Sequence, residues 1–167
     1  MMKPESRHTR GRVANRKFTA IENHQRKIRV QLRPLETFFR KIIKEVGLSR
    51  QCAAVRLIGL EEMARLNETY RKKKGPTDVL SFPAEEQGKP GSLVRQVRWA
   101  KGRFLGDIAI APAVARRNAK SLGRALLEEL KVLILHGVLH LLGYDHESDQ
   151  GEMERIEMRL RRRLGIA

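Results

Sequence analysis

Acidic residues are scarce in this chain, as are cysteine and long apolar runs, and each shortage excludes something. Of 167 residues, 19 are Asp or Glu against 35 Lys or Arg, a formal charge of +16. The pI of 10.9 follows. Such an imbalance concentrates polyanions at the surface, so nucleic acid is the expected partner. No apolar run reaches the roughly eighteen residues of a membrane span. No amphipathic basic helix ends the chain beside an anchor either, so a membrane partner is not expected. Residues 3–17 are polar and basic, which leaves no apolar signal-peptide core. Glu5 and Glu22 count against an organelle transit peptide. The single cysteine, Cys52, cannot close an internal disulfide and lies in an apolar run. Buried, inert and in a reducing cytoplasm is its expected state.

What is present divides into a tail and one domain. Residues 1–26 mix Arg, Lys, Asn, Thr and His without hydrophobic periodicity and are expected to be a disordered basic arm. The rest, 27–167, is long enough to bury a core as a single domain and contains no internal repeat. Alternation in KIRVQL (27–32) predicts a strand, and helical spacing of Leu35, Phe38, Phe39, Ile42, Ile43 and Val46 predicts a helix stopped by Gly47. A strand at 52–60, a helix at 60–73 and a short strand at 77–83 follow, the last ended by Pro83. The Gly-, Pro- and charge-rich stretch 84–103 reads as an inserted hairpin or loop. A strand at 104–112 precedes helices at 112–123, 125–143 and 149–165. The middle one is almost wholly apolar from Val132 to Leu142 and should run through the core. This order predicts an α+β sandwich: one mixed sheet of about four strands packed by about five helices.

Three of the five histidines fall in HGVLHLLGYDH, residues 136–146. Positions four apart on an α-helix differ by about 40° around its axis, so His136 and His140 point the same way. Gly143 ends the helix, and a chain reversal there returns His146 toward the same point. Three neutral imidazoles leave one position open on a tetrahedral zinc, the pattern of a catalytic site at the C-terminal end of a central helix. With no cysteine nearby, a closed structural zinc site is disfavoured. His8 and His24, in the expected tail, are read as solvated. A further shortage matters here: Gly137 stands where H-E-x-x-H peptidases carry their general base, which disfavours a peptidase. A metal-activated nucleophile still needs compensation for developing negative charge, and a phosphodiester needs it more than a peptide does. Asp145 suits two roles, orienting a metal ligand or forming the turn after Gly143.

H-G-x-L-H-L-x-G-Y-D-H resembles the signature of the YbeY-type endoribonucleases, the rRNA maturation factors of bacteria and organelles. LNETYRKKKGPTDVLSFP (66–83) is similar to that family's N-x-x-Y-R…T-D-V-L-S-F-P segment, and LGDIAI (105–110) to its L-G-D-I strand. Blocks and order together cover about 27 to 164. The resemblance implies one zinc ion held by His136, His140 and His146, and metal-dependent cleavage of single-stranded RNA. It also implies maturation of the 3′ end of small-subunit rRNA and ribosome quality control, with ribosomal components as partners, by a cytoplasmic monomer. Arg71 corresponds to the family's arginine near the metal, where a guanidinium can pair with a scissile phosphate. Without the resemblance it is one of a solvated cluster, Arg71 to Lys74. Thr77, Asp78, Ser81 and Asp107 are expected to shape the cleft wall, with direct binding by Ser81 or Asp107 as the alternative. The tail and the connection 84–103 lengthen the family's usual plan. A non-catalytic, metal-braced RNA-binding or ribosome-assembly factor is the alternative function, ahead of a peptidase.

Overall fold

A helix that is apolar on nearly every side is stable in water only when surrounded, and α5 (Leu126–Leu141) is surrounded. Ten of its residues are buried, Leu130, Ile134, Leu135 and Leu139 almost completely. Each such side chain contributes roughly 1.5–3 kcal/mol relative to exposure. The computed structural model describes residues 21–48, 52–85 and 92–166. Around α5 it places a four-stranded sheet of β1 (Ile21–Asn23), β2 (Ala53–Leu57), β3 (Val79–Pro83) and β4 (Gly106–Ile110). Helices α1 (Leu32–Val46), α2 (Leu60–Arg71), α3 (Leu93–Ala100), α4 (Pro112–Ser121) and α6 (Glu152–Leu164) complete the fold. The sheet order is β1-β2-β4-β3, with β1, β2 and β4 parallel and β3 antiparallel at the edge. This is the expected α+β arrangement with one mixed sheet.

Phe39, Ile42, Leu57, Ile108 and Ile110 join the α5 residues in the main core. A smaller cluster of Ile58, Met63, Leu80, Ala109, Ala111 and Val114 lies under α2. Asn67, buried on α2, donates to the Gly75 carbonyl at 2.8 Å and ties that helix to the chain entering β3. Gly106 opposes Pro83 at φ 145°, where a Cβ would lie 2.1 Å from the Phe82 carbonyl oxygen. Only glycine lets β3 and β4 pair there. No helix among the described residues is long and apolar enough to cross a membrane.

Two expectations are corrected. The strand expected at 27–32 does not form. The Gln25 side chain accepts from the Ile28 N–H at 2.9 Å and donates to the Ile28 carbonyl at 2.8 Å. That folds the chain locally and removes both groups from any ladder. The first strand is Ile21–Asn23, in register with Val55–Leu57, so these residues belong to the sheet rather than to a tail. The expected tail from 1 to 20 lies outside the described residues, and so do 86–91 of the expected loop. The second correction is in that loop, where α3 is a sixth helix. Ser92 caps it by accepting from the Arg95 N–H, Ala100 is fully buried, and Leu93, Val97 and Trp99 pack on the core.

Candidate metal centre

His136 and His140 occupy the last turns of α5, one above the other. After Leu142 the chain turns sharply: Gly143 takes φ 91°, its N–H reaches the His140 carbonyl, and the Tyr144 N–H reaches that of Leu139. Tyr144, 1% exposed, then anchors the reversed chain in the core. Asp145 closes a second turn by accepting from the Glu147 N–H at 3.0 Å, while its carbonyl accepts from Ser148 and Asp149. Of the two roles open to Asp145, the observed contacts are those of the turn-former. Between these two turns His146 is carried back to the helix end.

The outcome is convergence. One ring nitrogen from each of His136, His140 and His146 lies within 4.8 Å of the others. His136 and His140 bring their Nε2 atoms to 3.0 Å. Zinc–nitrogen bonds of about 2.0–2.1 Å at tetrahedral angles put donors roughly 3.3 Å apart; the His136–His140 pair is near that spacing, and with His146 the three could hold such an ion. Electrostatics agree with that use. Burial of His140, then repulsion by the other two imidazoles, lowers its pKa to about 4, against the opposing influence of Asp145 and a hydrogen bond to the Tyr144 backbone. A neutral imidazole with an available lone pair is what a cation needs.

Sequence reasoning missed the residue that orients His136. Glu157, on α6, lies with Oε2 2.7 Å from His136 Nδ1 and is 8% exposed. An ionised carboxylate only accepts, so Nδ1 carries the hydrogen and Nε2 is left free to face the cluster. Burial pushes the Glu157 carboxyl up. The hydrogen bond and charge of His136, together with Arg161, outweigh burial and hold it below its ordinary value. Arg161, one turn further along α6, bonds the other carboxylate oxygen. Helix α6 reads as merely basic in the sequence. The i, i+4 pairing of Glu157 with Arg161 is legible there, but nothing in the spacing points to His136.

The glycine at position 137 has a packing cause. A Cβ there would meet Ile108 Cγ2 at 2.8 Å and Cδ1 at 2.9 Å. Position 137 faces the sheet, not the imidazoles, and α5 lies directly on β4. Ser81 on β3 donates to the Gly137 carbonyl at 3.3 Å, a further tie between sheet and helix.

Arg71 ends α2, and its Nη2 pairs with Glu147 Oε1 at 3.2 Å, both side chains about half exposed. Since Glu147 follows His146, the pair brings the guanidinium to the loop that carries the third imidazole. Thr77 and Asp78 have structural contacts. Asp78 accepts from the Val79 N–H and from Asn118, Thr77 donates to Asp78, and the Asp78 carbonyl accepts from Ala111. Asp107 pairs with Arg56 at 3.4 Å. His24 pairs with Glu22 at 2.8 Å in solvent, away from the cluster's donor set, and His8 lies outside the described residues.

Known proteins share this plan. The family model described as endoribonuclease YbeY matches residues 20–165. A relative of that description from Solibacter usitatus (strain Ellin6076) is 42% identical over 132 residues, spanning 79% of this chain and 78% of its own. Another from Aquifex aeolicus (strain VF5) is 39% identical over 130 residues, spanning 78% and 79%. Among solved structures, the solution structure of TM1509 from Thermotoga maritima is similar at a TM-score of 0.52 and 25% identity, covering 86% of this chain and 87% of that one.

Proposed function

Because this chain belongs to the endoribonuclease YbeY family, we propose that it is a zinc-dependent endoribonuclease that cuts single-stranded RNA. Its task is maturation of the 3′ end of small-subunit rRNA and ribosome quality control, as a cytoplasmic monomer working with ribosomal components. The observation that carries this reading is the convergence of His136, His140 and His146 to within 4.8 Å.

The three imidazoles would hold one ion, and His146, the exposed member, would mark the side open to substrate. When bound, zinc supplies Lewis acidity at the phosphodiester. Glu157 keeps the His136 Nε2 lone pair directed at the ion. Arg71 exchanges the Glu147 carboxylate for the scissile phosphate, where two parallel N–H donors stabilise the charge that builds up. Such an exchange costs little, because an exposed ion pair contributes about 0–1 kcal/mol. The +16 charge draws RNA to the surface without reading its sequence. A peptidase would need a base at position 137, and Ile108 leaves no room for one.

Metal analysis of the purified protein, paired with cleavage of single- and double-stranded RNA, tests this. One zinc per chain is expected, with single strands cut, duplexes spared, and activity lost to chelator and regained on adding zinc. RNA binding with no cleavage at stoichiometric zinc would favour the metal-braced assembly factor instead.

A further inference from the structure

Among the described residues few large apolar side chains are exposed, and one of them precedes Arg71 in the chain. Tyr70, in the last turn of α2, is 63% exposed, and its ring meets Phe82 of β3 edge-to-face with centroids 5.0 Å apart at 73°. Phe82 packs on the small cluster under α2, so Tyr70 rests on an anchored ring. Tyr70 precedes Arg71, which reaches Glu147 beside His146. Phe82 points to the sheet face opposite that of Ser81 and its Gly137 contact, so the link from Tyr70 to the histidine loop runs through Arg71. Arg71, Lys72, Lys73 and Lys74 continue the exposed surface as an unbroken cationic run.

We propose that Tyr70, backed by Phe82, is a stacking platform for one unpaired nucleobase of the RNA, next along the strand from the phosphate that Arg71 holds. An exposed aromatic ring in a basic surface is complementary to a single strand, whose bases present π-faces between negative phosphates. In a duplex those faces are covered by neighbouring pairs, so the platform selects single strands without reading sequence. The contact with Phe82 fixes the ring beforehand, which reduces the entropy lost on binding. The proposal deepens the ribonuclease reading and rests on it for the position of the phosphate.

Binding and cleavage are measured separately so that each can fail alone. Fluorescence anisotropy of an end-labelled single-stranded decaribonucleotide, in chelator, reports affinity without turnover. Tyr70→Ala should weaken binding between about 5-fold and about 100-fold, the span for base-stacking aromatics. Tyr70→Leu keeps an apolar contact with Phe82 but has no π-face, and should lose as much. Tyr70→Trp should bind at least as tightly as the native chain. On an abasic strand of the same length, native protein and Tyr70→Leu should bind equally. Native-like affinity of Tyr70→Leu overturns the platform, as does an equal loss on the abasic strand or no RNA binding by the native chain. Zinc-dependent cleavage alongside an indifferent Tyr70 sinks the platform alone. Tyr70-dependent binding without cleavage at stoichiometric zinc sinks the nuclease reading alone.

Discussion

Glu157 and Glu147 each hold a cation beside the same three imidazoles, one in the core and the other in solvent. The Glu157 side chain is 11% exposed and bonded at both oxygens, to His136 and Arg161. That of Glu147 is 58% exposed and bonded once, to Arg71. Deleting one partner of a buried pair leaves an uncompensated charge and costs about 3–5 kcal/mol, whereas an exposed pair contributes little. The buried carboxylate therefore fixes the His136 ring, which under the proposed function must not move. The exposed one, under the same proposal, would occupy the guanidinium only until a stronger anion arrives. On that reading, identical chemistry would serve as scaffold or as placeholder according to depth.

Substitutions can break this contrast, or sharpen it. Removing the target that both glutamates surround has the largest effect: His140→Ala should drop the zinc content from one per chain to none and cleavage to background. Next is Arg71→Ala, expected to lower kcat by about 100- to 1000-fold, as loss of a single charge-stabilising donor does, with zinc affinity unchanged in chelator competition. Arg71→Lys should recover only part, because a point charge cannot pair in parallel. Glu157→Ala should do the opposite, weakening zinc by about 10- to 100-fold. In the metal-free protein, the depressed Glu157 pKa stabilises the fold above its ordinary value of 4.5, an advantage lost as pH falls through the folded value. Chemical denaturation of Glu157→Gln should show a shallower acid decline over that window. Smallest is Glu147→Gln, which should shift stability by less than about 1 kcal/mol and leave cleavage within a few-fold of native. A loss as deep as that of Arg71→Ala would mean Glu147 is no placeholder, and the comparison would collapse.

How much of this was legible in the sequence depends on whether the cause is local. The apolar run of α5, the i, i+4 histidines and the Gly143 stop are local, and they appear where expected. Strand β1 is not local: Ile21–Asn23 is a strand because β2 lies alongside, while the better alternation at 27–32 is bent by Gln25. Helix α3 was obscured by counting Gly, Pro and charge across 84–103, although Leu93, Val97 and Ala100 already have helical spacing behind a Ser92 cap. Glu157 reaches His136 from twenty-one positions away, which only the packing of α6 on α5 brings about.

The closeness of Gly137 to Ile108 also limits how this scaffold can be re-engineered. Adding a carboxylate at 137 to imitate a protein-cutting enzyme would pry the histidine-bearing helix off its floor, displacing the rings it was meant to assist. Any such redesign must first hollow out the strand beneath, so the two chemistries lie at least a coordinated pair of changes apart.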